Sequence, residues 1–160
     1  MLSLSNEATT RTWLPSQVYR DRAHAISALE FLISQYEIPG HPRFGAYVLA
    51  IEHRVDRALL GHVGFSPLNG EVEIGFSIAE SRRGCGLATE AIVRASSWAL
   101  QTFELNKILG VTSVANVASR RTLERARFAY EGDKAMRFQG VEQDVSVYAI
   151  ARTAETTSTA

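Results

Sequence analysis

From Val72 to Ile78 the side chains alternate without a break, with Val72, Ile74, Phe76 and Ile78 on one parity and Glu73, Gly75 and Ser77 on the other. That period of two predicts a strand with one face in the core and a carboxylate on the opposite face. Two further apolar runs precede it, residues 46–51 and 59–65, and the stretch Ser66-Pro67-Leu68-Asn69-Gly70 between the second and third is a strong turn signal. The three runs predict an antiparallel meander. The period then changes. Leu87, Ala91, Ile92, Ala95, Trp98, Ala99 and Phe103 fall on one stripe of a helix, predicting the best-defined helix of the chain over 87–103. A shorter helix is predicted over 118–127, residues 107–115 have the Ile, Leu and Val content of a strand, and 128–138 with 141–151 read as a hairpin turning at Gln139-Gly140. Upstream, Val18, Ala23, Ile26, Leu29, Leu32 and Ile33 recur at helical spacing, which predicts one or two helices between Pro15 and Tyr36. Helices, three strands, helix, strand, helix and two strands, in that order, make an α+β fold.

Composition narrows the class of molecule. A chain of 160 residues, 46% hydrophobic and 21% charged, has the make-up of one ordinary globular domain. No repeat or low-complexity linker divides it, so residues 1–151 are expected to form a single domain and the polar residues 152–160 a mobile tail. Lys plus Arg and Asp plus Glu are equal at 17 each with no run of one sign, which argues against a nucleic-acid or membrane-surface partner. The longest clean apolar run, residues 46–51, is far below the roughly 20 residues that cross a bilayer, and residues 1–12 lack the core of a signal peptide. A cytoplasmic protein is expected, with a homodimer among the states the sequence allows. Cys85 has no second cysteine to pair with, and His24, His41, His53 and His62 show no metal-ligand spacing with it, so no metal is expected.

The chemistry concentrates where the third strand ends. Residues Ile78-Ala79-Glu80-Ser81-Arg82-Arg83-Gly84-Cys85-Gly86-Leu87-Ala88-Thr89-Glu90 run from that strand through a glycine-rich turn into the long helix. A helix start leaves about four backbone N–H groups unpaired and carries roughly half a positive charge, and glycines let an anion reach those groups. Arg82 or Arg83 would add charge-assisted hydrogen bonds. On pattern alone, a tight strand-to-helix turn without a ligand accounts for Gly84 and Gly86 equally well. Dinucleotide and Walker-type sites are unsupported, because the turn holds neither Gly-x-Gly-x-x-Gly nor Gly-Lys-Ser/Thr.

The segment Arg83-x-x-Gly86-x-Ala88 resembles the Gln/Arg-x-x-Gly-x-Gly/Ala signature by which GNAT acyltransferases hold the pyrophosphate of CoA. Glu73-Ile74-Gly75-Phe76 before it, Thr89-Glu90-Ala91 after it and Asn116 to Arg125 downstream are similar to the branch containing the ribosomal-protein N-terminal acetyltransferases. The resemblance implies a GNAT-like mixed, mostly antiparallel, twisted sheet of about six or seven strands flanked by about four helices, with acetyl-CoA as cosubstrate. It implies further that backbone groups of Phe76, Ser77 and Ile78 hold the pantetheine and the acetyl carbonyl. Arg83, Gly84, Cys85, Gly86, Leu87, Ala88 and Thr89 would wrap the pyrophosphate, Asn116 would contact the cofactor arm, and Ser119 would lie near the thioester sulfur. Two positions depart from the family pattern. Arg127-Phe128 stands in place of the usual Gly-Phe after the second helix, and the first family strand is shortened to about residues 2–4.

Acyl transfer to an amine needs a neutral nucleophile, donors for a developing oxyanion, and a proton for a departing thiolate, whose thiol ordinarily titrates at about 8.5. Glu73 is the candidate general base, directly or through water, if partial burial lifts its pKa. A solvated strand carboxylate is the bland reading, and Glu71 shares its parity. Ser119 is the candidate donor to the thiolate, while capping of the helix start competes as the role of both Ser119 and Asn116. Tyr130 and Tyr148 on the hairpin are reserve acids whose commoner use is cross-strand packing. Cys85 lacks a histidine neighbour for covalent chemistry and reads as a small filler, His62 as a structural or surface histidine that lines an acceptor cleft in the minority of cases, and Trp13 and Trp98 as core or edge packing. The expected activity is N-acetylation of a protein N-terminus or a small amine by direct attack in a ternary complex. A catalytically silent acyl-CoA-binding or regulatory module is the alternative the sequence leaves open.

Overall fold

The computed structural model describes residues 1–152. Helices α1 (Leu2–Ser5) and α2 (Ala8–Trp13) lead through a 3-10 turn at Pro15–Gln17 into α3 (Arg22–Ser34). Then come β1 (Tyr47–Glu52), β2 (Leu59–Leu68), β3 (Glu71–Ile78), a 3-10 turn at Glu80–Arg82, and α4 (Leu87–Thr102). The remaining elements are β4 (Lys107–Ser113), α5 (Val117–Arg125), β5 (Ala129–Phe138) and β6 (Val141–Ala151). Six strands form one sheet in the order β1-β2-β3-β4-β6-β5, antiparallel except between β3 and β4. The expected α+β architecture is present, with five α-helices among the described residues where about four were expected.

The β2–β3 and β5–β6 hairpins close on residues of positive φ, Asn69 and Gly70 at 50° and 83°, Gln139 and Gly140 at 52° and 86°. That pair of left-handed residues is what a two-residue hairpin connection requires. Asn69-Gly70 therefore makes the whole turn, and Ser66, Pro67 and Leu68, expected within it, continue β2. Pro67 is tolerated because the β1 ladder begins at Phe65, leaving that flank of β2 an edge. Residues 2–4 are helical instead of forming a shortened first strand. The Leu-Ser-Leu-Ser alternation imitates a strand, but the Ser5 hydroxyl donates to the Leu2 carbonyl at 2.9 Å and the Ser5 amide to Met1 at 2.9 Å, closing a helical turn locally.

The helices α4 and α5 cover one face of the sheet. Ile92, Ala99 and Leu100 of α4 and Leu123 of α5 pack with Val63, Phe65, Val72, Ile74 and Ile108 into the main core. The alternation in β3 thus has its apolar parity on the α4 side. At the end of α5, Arg127 takes φ 66°, its amide bonds Glu124 and the Phe128 amide bonds Leu123. The tight turn of a helix C-terminus forms with arginine in the place where glycine is usual. The opposite face carries a smaller cluster of Leu109, Val111, Val145 and Val147 and is otherwise roofed by the N-terminal elements. There α3, capped by Asp21 accepting from the His24 amide at 2.8 Å, buries only Ala25 fully, while Phe31 and Ile33 stay 59% and 61% exposed. Its apolar stripe borders a cleft instead of entering the core. Arg152, the first residue of the expected tail, donates its amide to the Asn106 carbonyl at 2.9 Å, and the remainder of that tail lies outside the described residues.

Candidate functional site

The parallel strands β3 and β4 pair at two positions only, Glu73 with Leu109 and Ile74 with Gly110. Beyond them Gly75–Ile78 and Val111–Ser113 run on without a ladder between them, while β2 stays paired with β3 as far as Ile78. The backbone groups of residues 75–78 that point toward β4 are therefore left without sheet partners, although backbone N–H and C=O groups demand them. The wedge opens into a cleft of about 1000 Å³ that reaches from the start of α4 to the tip of the β5–β6 hairpin.

At the α4 end, Gly84 and Gly86 have φ of 80° and 77°, and Gly86 is the residue that starts the helix. A Cβ on either would meet nothing within 4 Å, so backbone conformation and not crowding calls for glycine, and the space before the first helical N–H groups is open. Gly84, Gly86, Leu87, Ala88 and Thr89 line the cleft; Cys85 does not, and its exposed thiol faces back to the Arg83 carbonyl at 3.7 Å. Arg83 is also turned back. Its Nε donates to the Ile78 carbonyl at 2.8 Å, and its guanidinium lies 3.5 Å from Glu7 and 3.7 Å from Glu80. Arg82 lines the cleft with no ion-pair partner among the described residues. The same acids fasten the N-terminal arm: Glu7 accepts from the Glu80 amide at 3.0 Å, and Glu80 accepts from the Thr9 amide and hydroxyl at 3.1 and 2.8 Å.

On the face of the sheet opposite the core, cross-strand pairs stack in rows: His62 with Ser77, Gly64 with Gly75, and Ser66 with Glu73. Glu73 lines the cleft and accepts from the Ser66 hydroxyl at 3.2 Å. Burial pushes its pKa above the ordinary carboxylate value, with the Ser66 hydrogen bond offsetting part of the rise. His62 is 8% exposed, its Nδ1 has no partner among the described residues, and burial, with the amino terminus nearby, lowers its pKa to about 4. It is a neutral imidazole in the cleft wall. Glu71, of the same parity, is drawn outward to Lys107 at 3.5 Å and takes no part in the cleft.

Across the wedge, Asn116 caps α5 by accepting from the Ser119 amide at 3.1 Å. Both line the cleft, and the Ser119 hydroxyl makes no hydrogen bond among the described residues. Tyr148 is buried under α5, donating to Glu124 at 2.9 Å and accepting from Arg120 at 3.3 Å, and the Tyr130 ring lies against it, tilted by 57° with centroids 5.3 Å apart. The two reserve acids thus belong to the packing of α5. A GNAT acetyltransferase domain model matches residues 1–129. The chain is a GNAT acetyltransferase.

Among its relatives, the uncharacterized N-acetyltransferase YoaA of Bacillus subtilis is 30% identical over 136 residues, 82% of this chain and 74% of YoaA. The ribosomal-protein-S5-alanine acetyltransferase of Vibrio fischeri superposes with a TM-score of 0.64 at 18% identity over 76% of this chain and 69% of that one. MccE, the microcin C7 self-immunity acetyltransferase in complex with acetyl-CoA and AMP, superposes with a TM-score of 0.68 at 22% identity over 81% and 71%. At such identities these structures speak for the fold. What local pattern did not reveal in this acetyltransferase is the roof of the cleft. Trp13, expected in packing, lines the cleft with Phe31 and Leu32, and the Ser16 hydroxyl donates to Gln139 of the hairpin tip at 2.9 Å. The partners lie 123 residues apart, beyond the reach of any spacing rule.

Proposed function

We propose that residues 1–151 act as one N-acetyltransferase unit that passes the acetyl group of acetyl-CoA directly to an amine bound in the same cleft. The observation that carries this reading is the wedge between β3 and β4, set against the glycine-bearing start of α4. The backbone N–H and C=O of Phe76, which face the wedge, suit the amide-bearing arm and the acyl oxygen of a CoA thioester, which supplies the activated acetyl group. Ser77, whose backbone pairs with His62 of β2, lines the same stretch with its side chain. The Ile78 carbonyl is already engaged by Arg83, so that residue anchors the turn. The turn from Arg83 to Thr89 presents N–H groups to a pyrophosphate, and Arg82, next to it in the chain, has no ion-pair partner among the described residues.

Glu73 takes the proton that the amine must lose as its nitrogen bonds to the acyl carbon. Its burial suits this task, because a raised pKa makes the carboxylate a stronger base. The carbon–sulfur bond breaks, and Ser119 supplies the proton that the departing thiolate takes up, regaining one from solvent. Asn116 holds the start of α5, and so Ser119, in place. Glu73→Gln should lower kcat about a hundredfold, leave acetyl-CoA affinity within about twofold and erase the acidic limb of the rate profile. An unaltered kcat and profile would remove Glu73 from the reaction. Calorimetry that detects no acetyl-CoA binding would remove the whole reading.

A further inference from the structure

On the cleft face of the sheet, Gly64 of β2 and Gly75 of β3 lie side by side in register, between the row of His62 and Ser77 and the row of Ser66 and Glu73. Neighbouring rows of one parity are two residues apart, about 7 Å, so the paired glycines leave a strip of bare backbone between a neutral histidine and a carboxylate. A Cβ on Gly75 would meet nothing within 4 Å. Neither glycine has the positive φ that would require it for conformation; Gly64 makes room for Val48 of β1, whose Cγ2 a Cβ there would meet at 2.9 Å, whereas Gly75 has no such neighbour. Glycine in the interior of a strand costs stability and marks places where something approaches the backbone closely.

The N-terminal elements, β1 and the hairpin tip bring apolar side chains to the same cleft, Trp13 and Leu14 at the end of α2, Phe31 and Leu32 on α3, Val48 on β1 and Phe138. Beside them stand the uncharged polar Thr12, Ser16, Gln17 and Gln139. Phe31 lines the cleft and is 59% exposed. Charge is sparse. Glu73 is the one carboxylate among the described residues that line the cleft, and the arginines that line it, Arg82, Arg83 and Arg125, sit on the anion-binding turn and on α5. A polyamine carries two or more ammonium groups, and each one moved from water into a cleft needs a carboxylate or carbonyl to replace its hydration. This cleft offers one carboxylate, and that one is assigned to the reacting nitrogen.

We propose that the acceptor is an amine with a single cationic centre and a large apolar group next to it, which lies over the Gly64–Gly75 strip beneath Phe31 and Trp13. A free aromatic or branched monoamine and the N-terminus of a peptide that begins with a large apolar residue share this chemistry. The inference rests on the transferase reading of the same cleft.

The test measures thiol release from acetyl-CoA with phenylalaninamide, glycinamide, spermidine and two short peptides that begin with Phe and with Gly. Phenylalaninamide should exceed glycinamide and spermidine at least tenfold in kcat/KM, and the comparison of phenylalaninamide with the Phe peptide separates the free amine from the chain terminus. Gly75→Leu, which fills the strip without backbone strain, should, at saturating acetyl-CoA, cut kcat/KM for phenylalaninamide by more than tenfold, bringing it close to that for glycinamide. Phe31→Ala should narrow the same ratio. Spermidine or glycinamide used as well as phenylalaninamide, with acetyl-CoA bound, would overturn this inference and leave the transferase reading standing. Acetyl-CoA bound with no amine turned over, or no acetyl-CoA bound at all, would overturn both.

Discussion

Burial acts on two titratable residues of the cleft wall, and it works through them in opposite directions of pH. Glu73 has its pKa raised in the folded state, so its contribution to stability is fully present below the ordinary carboxylate range and is lost as pH rises through the raised value. Glu73→Gln removes that loss. The variant should melt above the wild type at about pH 7 and level with it near pH 4, so the substitution that slows the reaction stabilises the fold. His62 is held neutral, with a folded pKa of about 4 against an ordinary value of 6.5. Its contribution is present above pH 6.5 and is lost as pH falls toward 4, where the unfolded chain takes up a proton that the folded one refuses. Urea unfolding of the wild type should show a decline of about 3 kcal/mol over that window from this residue alone, and His62→Leu should lack it. A variant that declines as steeply as the wild type would show His62 to be paired or hydrated.

Among the elements, those with a strong period were legible in the chain and those without one were not. The alternation from Val72 to Ile78 and the stripe from Leu87 to Phe103 emerge as β3 and α4, because one face of each meets the same core. Asn69-Gly70 and Gln139-Gly140 were visible as turns through their tolerance of positive φ. The N-terminal arm was not. Helices of four and six residues are too short to show a period, and α2 is held by the exchange between Glu7, Thr9 and Glu80, with Glu80 more than 70 residues from the other two in the chain. Around the cleft, the glycine-bearing turn before α4 and the place of Glu73 on the strand face opposite Phe76 could be read from the chain, whereas Arg82 and Arg83 are told apart only by the fold, which turns Arg83 onto Ile78. The end of α5 offers a test at this scale. Arg127 occupies the left-handed position of a helix-terminating motif whose two hydrogen bonds, and the contact of Phe128 with Leu123, are intact. A side chain there costs about 1 kcal/mol or more, part of which glycine returns through the unfolded state. Arg127→Gly should therefore stabilise by about 1 kcal/mol, and a variant that melts below the wild type would mean that the arginine side chain contributes more than its backbone costs.

Over the whole molecule, the sheet is two antiparallel sets of strands, β1 to β3 and β4 to β6, joined through a parallel ladder of two residue pairs. A ligand bound in the wedge would bridge them where the backbone does not, and this predicts more than a gain in stability. Acetyl-CoA at about 100 times its dissociation constant should add roughly 2.7 kcal/mol, a rise in melting temperature of about 5–10 °C for a domain of this size. Binding anywhere on the folded protein would do the same, so location must decide. Amides of Gly75–Ile78 divide into those bonded to β2, which are protected in the free protein, and those facing β4, which have no sheet partner. Hydrogen exchange should find the second set fast without ligand and slowed at least tenfold with acetyl-CoA, together with the first amides of α4 after Gly86. Gly86→Glu places a side chain and a negative charge before those amides and should abolish both effects while the chain stays folded, since the backbone strain of about 1 kcal/mol is small against a typical stability of about 5–15 kcal/mol. A melting shift that survives Gly86→Glu, or one that leaves the β4-facing amides exchanging as before, would place the ligand outside the wedge.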